Sequence, residues 1–232
     1  MHPGSIPGQA SIVSRRDLPM TAAIATARTN MVENQVRTND VTDLHVQDAM
    51  REAPREVLCP PGRRGLAYTE SSIEYAPGWR LAEPRDISKL LQAAAPRPGE
   101  RALAIAAPYA ALVMARIGLH VVALQAEEGA PGFLREALEQ AGVHVEVDRL
   151  DVLGSRGPFD VMIAEGGVER APQAWTDALA EGGRLAVVER MGPTGKARLY
   201  LRGDDRQLAR REVFDATPAL MPGFAKPQAF AF

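Results

Sequence analysis

The chain has 232 residues, of which 46% are hydrophobic and 24% are charged. This composition excludes a disordered chain and a collagen-like repeat, and the length suffices for one domain with a full core. The 27 Lys and Arg residues against 29 Asp and Glu residues give a net charge of −2, so the charge balance predicts no binding to nucleic acid or to an anionic membrane surface. The single cysteine, Cys59, cannot form an internal disulfide, which is typical of a cytoplasmic protein.

Residues 1–19 are rich in Gly, Pro and Ser and are predicted to form a disordered leader. Residues 14–18, followed by the stretch 20–27, share features with a twin-arginine export signal, but Pro19 and the interspersed threonines make that match poor. No segment reaches the roughly 18 consecutive apolar residues of a membrane span. We therefore expect a cytoplasmic protein.

The segment 20–96 is predicted to be an N-terminal region of helices and loops. A helix is expected after Asn39 and Asp40, with Pro54 ending it. The prolines and glycines between residues 59 and 79 predict an ordered surface loop. A second helix is expected after Pro84 and is expected to end at Pro96.

From residue 97 to residue 232, short apolar runs alternate with helical patterns, which predicts a parallel sheet with crossover helices. We expect a Rossmann-like α/β domain with helices on both faces and a C-terminal antiparallel hairpin, forming one compact unit with residues 20–96. The predicted strands are 102–106, 120–124, 143–147, 159–164 and 184–188. The predicted helices are 110–117, 132–141 and 171–180, and the predicted hairpin pairs 197–202 with 212–215.

Several blocks, in this order and at this spacing, resemble the protein-L-isoaspartate O-methyltransferases. The blocks extend from Asn30 to Phe224. Each is weak alone, but the ordered set is fairly specific. They are Asn30-Met31-Val32-Glu33-Asn34-Gln35-Val36-Arg37, Ala49-Met50-Arg51-Glu52-Ala53-Pro54-Arg55, Ala67-Tyr68, Pro158-Phe159-Asp160-Val161-Met162-Ile163, Gly182-Gly183-Arg184-Leu185 and Pro222-Gly223-Phe224.

The resemblance implies a class I methyltransferase fold that uses S-adenosylmethionine. No metal is expected, because one cysteine and four scattered histidines lack the spacing of a Cys/His zinc site. The resemblance also implies methyl transfer to the carboxylate of isoaspartyl residues in damaged proteins, the first step of their repair. Family members hold the cofactor on a Gly-x-Gly-x-Gly turn, because residues without side chains let the backbone approach it closely. Here Ala106, Pro108 and Ala110 stand at those three positions.

Two further cofactor positions follow from the resemblance. Gln125 matches the carboxylate that accepts hydrogen bonds from the ribose hydroxyls, and it carries no charge. Glu127 and Glu128 follow it and are either substitutes or solvated loop residues. Asp151 matches the acidic residue that faces the adenine edge.

The segment that corresponds to the family's substrate loop also departs from the family pattern. The family's Thr-Ile-Ser-x-Pro corresponds to residues 80–84, in which Ala82 replaces the serine that touches the reacting carboxylate. No catalytic residue can therefore be assigned from the resemblance. Arg80 and Arg85 are candidates for pairing a substrate carboxylate, with Glu83 and Pro84 beside them, although Glu83 offers a local ion-pair partner instead.

Two hypotheses remain open. The chain is either an isoaspartyl methyltransferase that binds its cofactor through an altered loop, or a catalytically inactive homologue that acts as a binding or structural module. Under the second hypothesis, Tyr109 is expected to fill the space of the cofactor. A third alternative is a different small molecule at the same strand ends.

Overall fold

The computed structural model describes residues 17–125, 130–205 and 207–224. Residues 1–16 of the expected leader, and Glu127 and Glu128, lie outside the described residues. The first helix, α1 (Asp17–Met31), begins ahead of the predicted boundary at residue 20. Within the described part of the chain, no helix combines the length and apolar character that crossing a membrane requires.

Two more helices and a hairpin complete the N-terminal region. Helix α2 (Leu44–Glu52) begins where Asp43 Oδ1 accepts the backbone N–H of His45, and helix α3 (Pro84–Ala94) begins with Pro84 in its first turn. Between them lie short 3-10 turns and the antiparallel strands β1 (Ile73–Ala76) and β2 (Trp79–Leu81).

The prediction of a surface loop over residues 59–79 was therefore partly wrong. Its end forms the β1–β2 hairpin, and Ile73 and Trp79 are buried. The turn is made at Gly78, whose φ of 77° favours glycine. The short strands are hidden in the sequence because turn residues surround them, and their burial depends on contacts with distant parts of the chain.

The remaining strands form one seven-stranded sheet in the order β5-β4-β3-β6-β7-β8-β9. The first five strands in this order, β5 to β7, run parallel to one another. Strands β7, β8 and β9 form an antiparallel meander. The strands are β3 (Arg101–Ile105), β4 (His120–Gln125), β5 (Glu146–Arg149), β6 (Phe159–Val168), β7 (Leu179–Met191), β8 (Thr194–Arg202) and β9 (Leu208–Asp215). The helices between them are α4 (Pro108–Ile117), α5 (Ala130–Gln140) and α6 (Gln173–Asp177).

This architecture confirms the predicted Rossmann-like fold with its mostly parallel sheet. Several element bounds differ from the prediction: β6, β7, β8 and β9 are longer than predicted, whereas β5 and α6 are shorter. Strand β5 begins at Glu146 and not at residue 143, because pairing with β4 starts only where Glu146 lies opposite Val122. Helix α6 spans only Gln173–Asp177, because the chain joins the edge of β6 at Leu179, opposite Phe159.

The sheet has an apolar core on each face because its buried strands place alternate side chains on opposite sides. On one face, Ala104 and Ile163 belong to a cluster with helices α2 to α5. On the other face, Leu103 and Met162 belong to a cluster with Trp79 of the hairpin and Trp175 of α6. The carboxyl ends of β3, β4 and β6 lie between these two clusters, where open parallel sheets place their ligand sites.

Candidate active site at the carboxyl edge of the sheet

The loop after β3 has a backbone conformation that favours glycine, and its residues are buried. Ala106 has a φ of 45°, in the left-handed region that favours glycine, and its N–H donates to Leu124 O at 2.8 Å. Pro108 opens helix α4, where its missing N–H leaves no intrahelical bond unmade. Ala106, Pro108 and Ala110 are all buried. The three positions that the resemblance assigns to the cofactor are thus brought together but closed to solvent.

The amino end of α4 is capped by a carboxylate from strand β6. Ala107 precedes the helix and has no polar side chain to accept its free backbone amides. Glu165 Oε2 accepts the N–H of Tyr109 at 3.3 Å, and the Ala110 amide also hydrogen-bonds this carboxylate. Glu165 is 1% exposed. A negative group at this place is favoured by the helix dipole as well as by the hydrogen bonds.

The same carboxylate holds the segment that corresponds to the family's substrate loop. Glu165 Oε1 accepts the N–H of Ala82 at 2.8 Å. On the other side of this residue, Arg55 Nη2 donates to Ala82 O at 2.5 Å. Ala82, which stands at the position of the family's serine, is therefore held at both its peptide groups by two buried charged side chains.

Arg55, which donates to Ala82 O, also forms a buried pair with Tyr109. The guanidinium lies over the Tyr109 ring, 4.7 Å from its centroid, and both residues are fully buried. Arg55 Nε, Arg55 Nη1 and Tyr109 Oη find no hydrogen-bond partner among the described residues. Tyr109 belongs to the cluster with helices α2 to α5, whereas Ala106 belongs to the cluster on the other face of the sheet. That Tyr109 fills the space of the cofactor therefore stays a prediction.

The environment of Glu165 changes the affinity of its carboxyl group for a proton. Burial raises the pKa of Glu165 to about 7, because the charged form loses its hydration. Arg55 and the three backbone amides act in the opposite direction, since each favours the charged form. The carboxyl group therefore titrates near neutral pH.

Gln125, at the end of β4, is engaged by the hairpin. Tyr75 Oη donates to Gln125 Oε1 at 2.9 Å, and burial raises the pKa of this hydroxyl, so it remains protonated as a donor. Gln125 is 1% exposed, and its Nε2 has no hydrogen-bond partner in the described ranges. The amide oxygen that the resemblance assigns to a ribose hydroxyl is thus bound by a side chain of the chain itself.

Apolar residues cover the remaining side of the loop. Ala106, Trp79 and Met221 belong to one buried cluster. Met221 approaches β6 so closely that a Cβ added at Gly166 would lie 2.5 Å from Met221 Cγ. The cavity lined by Glu165, Gly166 and Met221 has a volume of about 20 Å³, which accommodates about one water molecule.

Asp151 lies apart from this arrangement. It belongs to the 3-10 turn Leu150–Ser155 after β5. Its side chain is 64% exposed, and its Oδ2 lies 3.4 Å from Arg149 Nε. The predicted adenine position is therefore a solvated carboxylate with a neighbouring arginine as its ion-pair partner.

The predicted substrate residues lie together at β2 and the start of α3, where each arginine has a protein partner. Arg80 Nε donates to Ser72 Oγ at 3.0 Å, and Arg85 Nε donates to Asp86 Oδ1 at 2.9 Å. Arg85 Nη2 lies 3.9 Å from Glu83 Oε2. The local ion pair between Arg85 and Glu83 that the sequence offered is present, and Pro84 forms the first turn of α3.

The residues at the predicted cofactor positions do not fit S-adenosylmethionine in the manner that the resemblance implies. The amides at the amino end of α4 donate to Glu165, and Gln125 Oε1 accepts from Tyr75. The loop at residues 106–110 is buried by the chain's own atoms. A nucleoside would require the hairpin and Met221 to move away from the strand ends.

Sequence reasoning missed Glu165 and the role of Arg55. One signal was available for Glu165, since it is a lone acidic residue directly after the apolar run 161–164, at the carboxyl end of a predicted strand. Arg55 belongs to a block that carries the family resemblance, but nothing in the sequence indicates its complete burial.

Replacing Tyr75 with phenylalanine tests the contact with Gln125. The variant leaves both polar ends of a buried amide without a partner, so we expect a loss of about 1–3 kcal/mol in the free energy of unfolding by urea. The double variant Tyr75→Phe with Gln125→Met removes both partners and should recover most of this loss. Equal stability of the wild type and Tyr75→Phe would contradict the contact.

Comparison with known proteins agrees with the geometry of the fold. The sequence profile of the protein-L-isoaspartate(D-aspartate) O-methyltransferase family matches residues 26–212. The protein-L-isoaspartate O-methyltransferase of Methylorubrum extorquens (strain PA1) is 34% identical over 192 residues, which cover 78% of this chain and 82% of that protein. The corresponding protein of Methylorubrum populi is 30% identical over 190 residues, with 78% and 88% covered.

A solved structure shows the same fold. It is described as a protein-L-isoaspartate O-methyltransferase from Plasmodium falciparum in complex with S-adenosyl-L-homocysteine. It superposes with a TM-score of 0.71 at 16% identity, covering 84% of this chain and 97% of the other. The profile match and the bacterial relatives together show that the chain belongs to the protein-L-isoaspartate(D-aspartate) O-methyltransferase family.

Proposed function

We propose that this chain is a catalytically inactive member of its family, which has lost cofactor binding and acts as a binding or structural module. The hydrogen bond from Tyr75 to Gln125 carries this proposal. It places the hairpin on the strand end from which family members contact the ribose of S-adenosylmethionine. The ligand would have to break this buried bond and displace the side chains around it before it made any contact.

The burial of the loop at residues 106–110 supports the same proposal. A ligand-binding turn normally presents free backbone amides to its ligand. Here Pro108 has no amide hydrogen, and the amides of Tyr109 and Ala110 donate to Glu165. The partner that fits a family acting on damaged proteins is a polypeptide, and we place the protein in the cytoplasm, consistent with its single cysteine.

Titration of the purified protein with S-adenosylmethionine and S-adenosylhomocysteine tests the proposal. We expect no heat in calorimetry and no change in melting temperature at millimolar ligand. A bound ligand at 100 times its Kd would add about 2.7 kcal/mol, and each kcal/mol raises the melting temperature of a chain of this size by roughly 2–4 °C. The relative from Methylorubrum extorquens is a positive control. A clear shift in the wild type would overturn the proposal.

The second candidate is the activity for which the relatives are named, methyl transfer from S-adenosylmethionine to isoaspartyl carboxylates. The left-handed backbone of Ala106 favours it, because the loop retains a conformation suited to glycine. Methylation of an isoaspartyl peptide by the wild type would establish this activity. Asp151→Ala should then weaken cofactor binding, and unchanged affinity would remove Asp151 from the site.

A further inference from the structure

The contacts of Glu165 connect three segments that are distant in sequence. The residue lies at the carboxyl end of β6, its Oε1 accepts from Ala82 after β2, and its Oε2 accepts from Tyr109 in α4. These pairs are separated by 83 and 56 positions. One carboxylate therefore joins the sheet, the segment corresponding to the substrate loop and the helix that follows the cofactor loop.

Capping α4 does not by itself require this arrangement. A Ser, Asp or Asn at position 107 would cap the helix locally. A carboxylate drawn from β6 is buried at a desolvation cost, and it is retained with Arg55 as its nearby buried cation. The carboxylate lies where open α/β sheets place a ligand, and it engages the amides that a ligand's anionic group commonly engages.

The charged and titratable groups facing Glu165 come from each element packed around it. Arg55 approaches from the 3-10 turn Arg55–Leu58, Tyr109 from α4, and Tyr75 from the hairpin. Arg80 lines the same small cavity as Glu165. Both arginines carry a positive charge, and both tyrosines are held in their neutral form because burial raises their pKa.

We infer that Glu165 is an internal substitute for a ligand: its carboxylate occupies the amino end of α4 and fastens the segment at Ala82 over the strand ends, which keeps the site closed. This inference rests on the proposed function, because it supplies the closure that the proposed function requires. Removing the carboxylate frees the amides of Ala82, Tyr109 and Ala110 together. The segment that follows the hairpin then loses its hydrogen bond to the end of β6, while the bond from Tyr75 to Gln125 still joins the hairpin to the end of β4.

Residue-resolved amide hydrogen exchange of the full chain tests this inference. In Glu165→Ala we expect exchange at Ala82, Tyr109 and Ala110 to accelerate about tenfold or more, the effect of losing hydrogen bonds to a charged group. The matched control is Glu189→Ala, which removes another buried carboxylate, one that accepts the N–H of Ala171 at 3.0 Å. Glu189→Ala should accelerate exchange at Ala171 and leave exchange at Ala82, Tyr109 and Ala110 unchanged.

A second variant covers the case in which Glu165→Ala does not fold. Glu165→Gln keeps one acceptor oxygen. It should therefore keep exchange slow either at the Ala82 amide or at the amides of Tyr109 and Ala110, but not at both. Unchanged exchange at all three amides in either variant would overturn the inference.

Ligand titration then separates this inference from the proposed function. S-adenosylhomocysteine is added to the wild type and to Glu165→Ala combined with Tyr75→Phe. We expect binding by the double variant alone, and a double variant that folds but binds nothing would overturn the statement that these contacts keep the site closed. Binding by the wild type would overturn the proposed function and the statement that the site is closed. The exchange data would still decide whether Glu165 holds the amides of Ala82, Tyr109 and Ala110.

Discussion

Replacing Arg55 with alanine should lower the free energy of unfolding by about 3–5 kcal/mol, the largest loss that we expect from any single substitution in the site. The side chain is fully buried, packs against the Tyr109 ring and donates to Ala82 O. Its removal leaves a cavity, an unpaired carbonyl and the Glu165 carboxylate without its nearby positive charge. Chemical denaturation at pH 8, where Glu165 is ionised, measures the loss.

Two further variants separate charge from packing at Arg55. Arg55→Met retains much of the side-chain volume but no charge, so a loss near that of alanine would show that the guanidinium dominates. Arg51→Ala is the matched control, since Arg51 is partly exposed and pairs with Glu33 and Asp48 at the surface. Its loss should stay below about 1 kcal/mol. A similarly small loss in Arg55→Ala would contradict the assigned role.

Glu165→Gln should make the protein less sensitive to pH between about 5 and 8. The pKa of this carboxyl group is raised from 4.5 to about 7 in the folded chain, so the folded state binds its proton more tightly than the unfolded state. The stabilisation is therefore complete below pH 4.5 and is lost as the pH rises through about 7. At about 1.4 kcal/mol for each pH unit between the two values, the loss amounts to about 3 kcal/mol.

The measurement is the difference in unfolding free energy between wild type and Glu165→Gln at each pH, since other ionisable groups cancel in that difference. The wild type should lose stability relative to the variant as the pH rises from 5 to 8. In the Arg55→Met background the midpoint should move to higher pH, because the positive charge that favours the carboxylate is gone. A difference that does not vary with pH would show that Glu165 does not titrate in this range.

This chain keeps the fold of its family, while its own side chains occupy the strand ends where a ligand would bind. The sheet order and the superposition with the Plasmodium falciparum structure show that the Rossmann-like framework is intact. The contacts at the strand ends are made by side chains of the chain itself, from Tyr75, Glu165 and Met221. Such a framework can persist without methyl transfer, because apolar packing within the two clusters stabilises it and a fold does not by itself fix a function.

The sequence by itself determined the framework and the place of the altered site. Apolar runs separated by helical patterns predict the parallel strands, because a strand buried on both faces needs apolar residues at nearly every position. The family resemblance places three glycines at Ala106, Pro108 and Ala110, so their replacement at the end of a predicted strand is visible without a structure. These are local properties of a short stretch of chain.

Only the tertiary structure decided how that site is filled. Tyr75 meets Gln125 across 50 positions, Arg55 meets Ala82 across 27, and Glu165 meets Ala82 across 83. No local pattern encodes these contacts, because they depend on the crossover connections that bring the ends of β3, β4 and β6 to one edge. Burial likewise raises the pKa of Glu165, and burial is a property of the packed molecule as a whole.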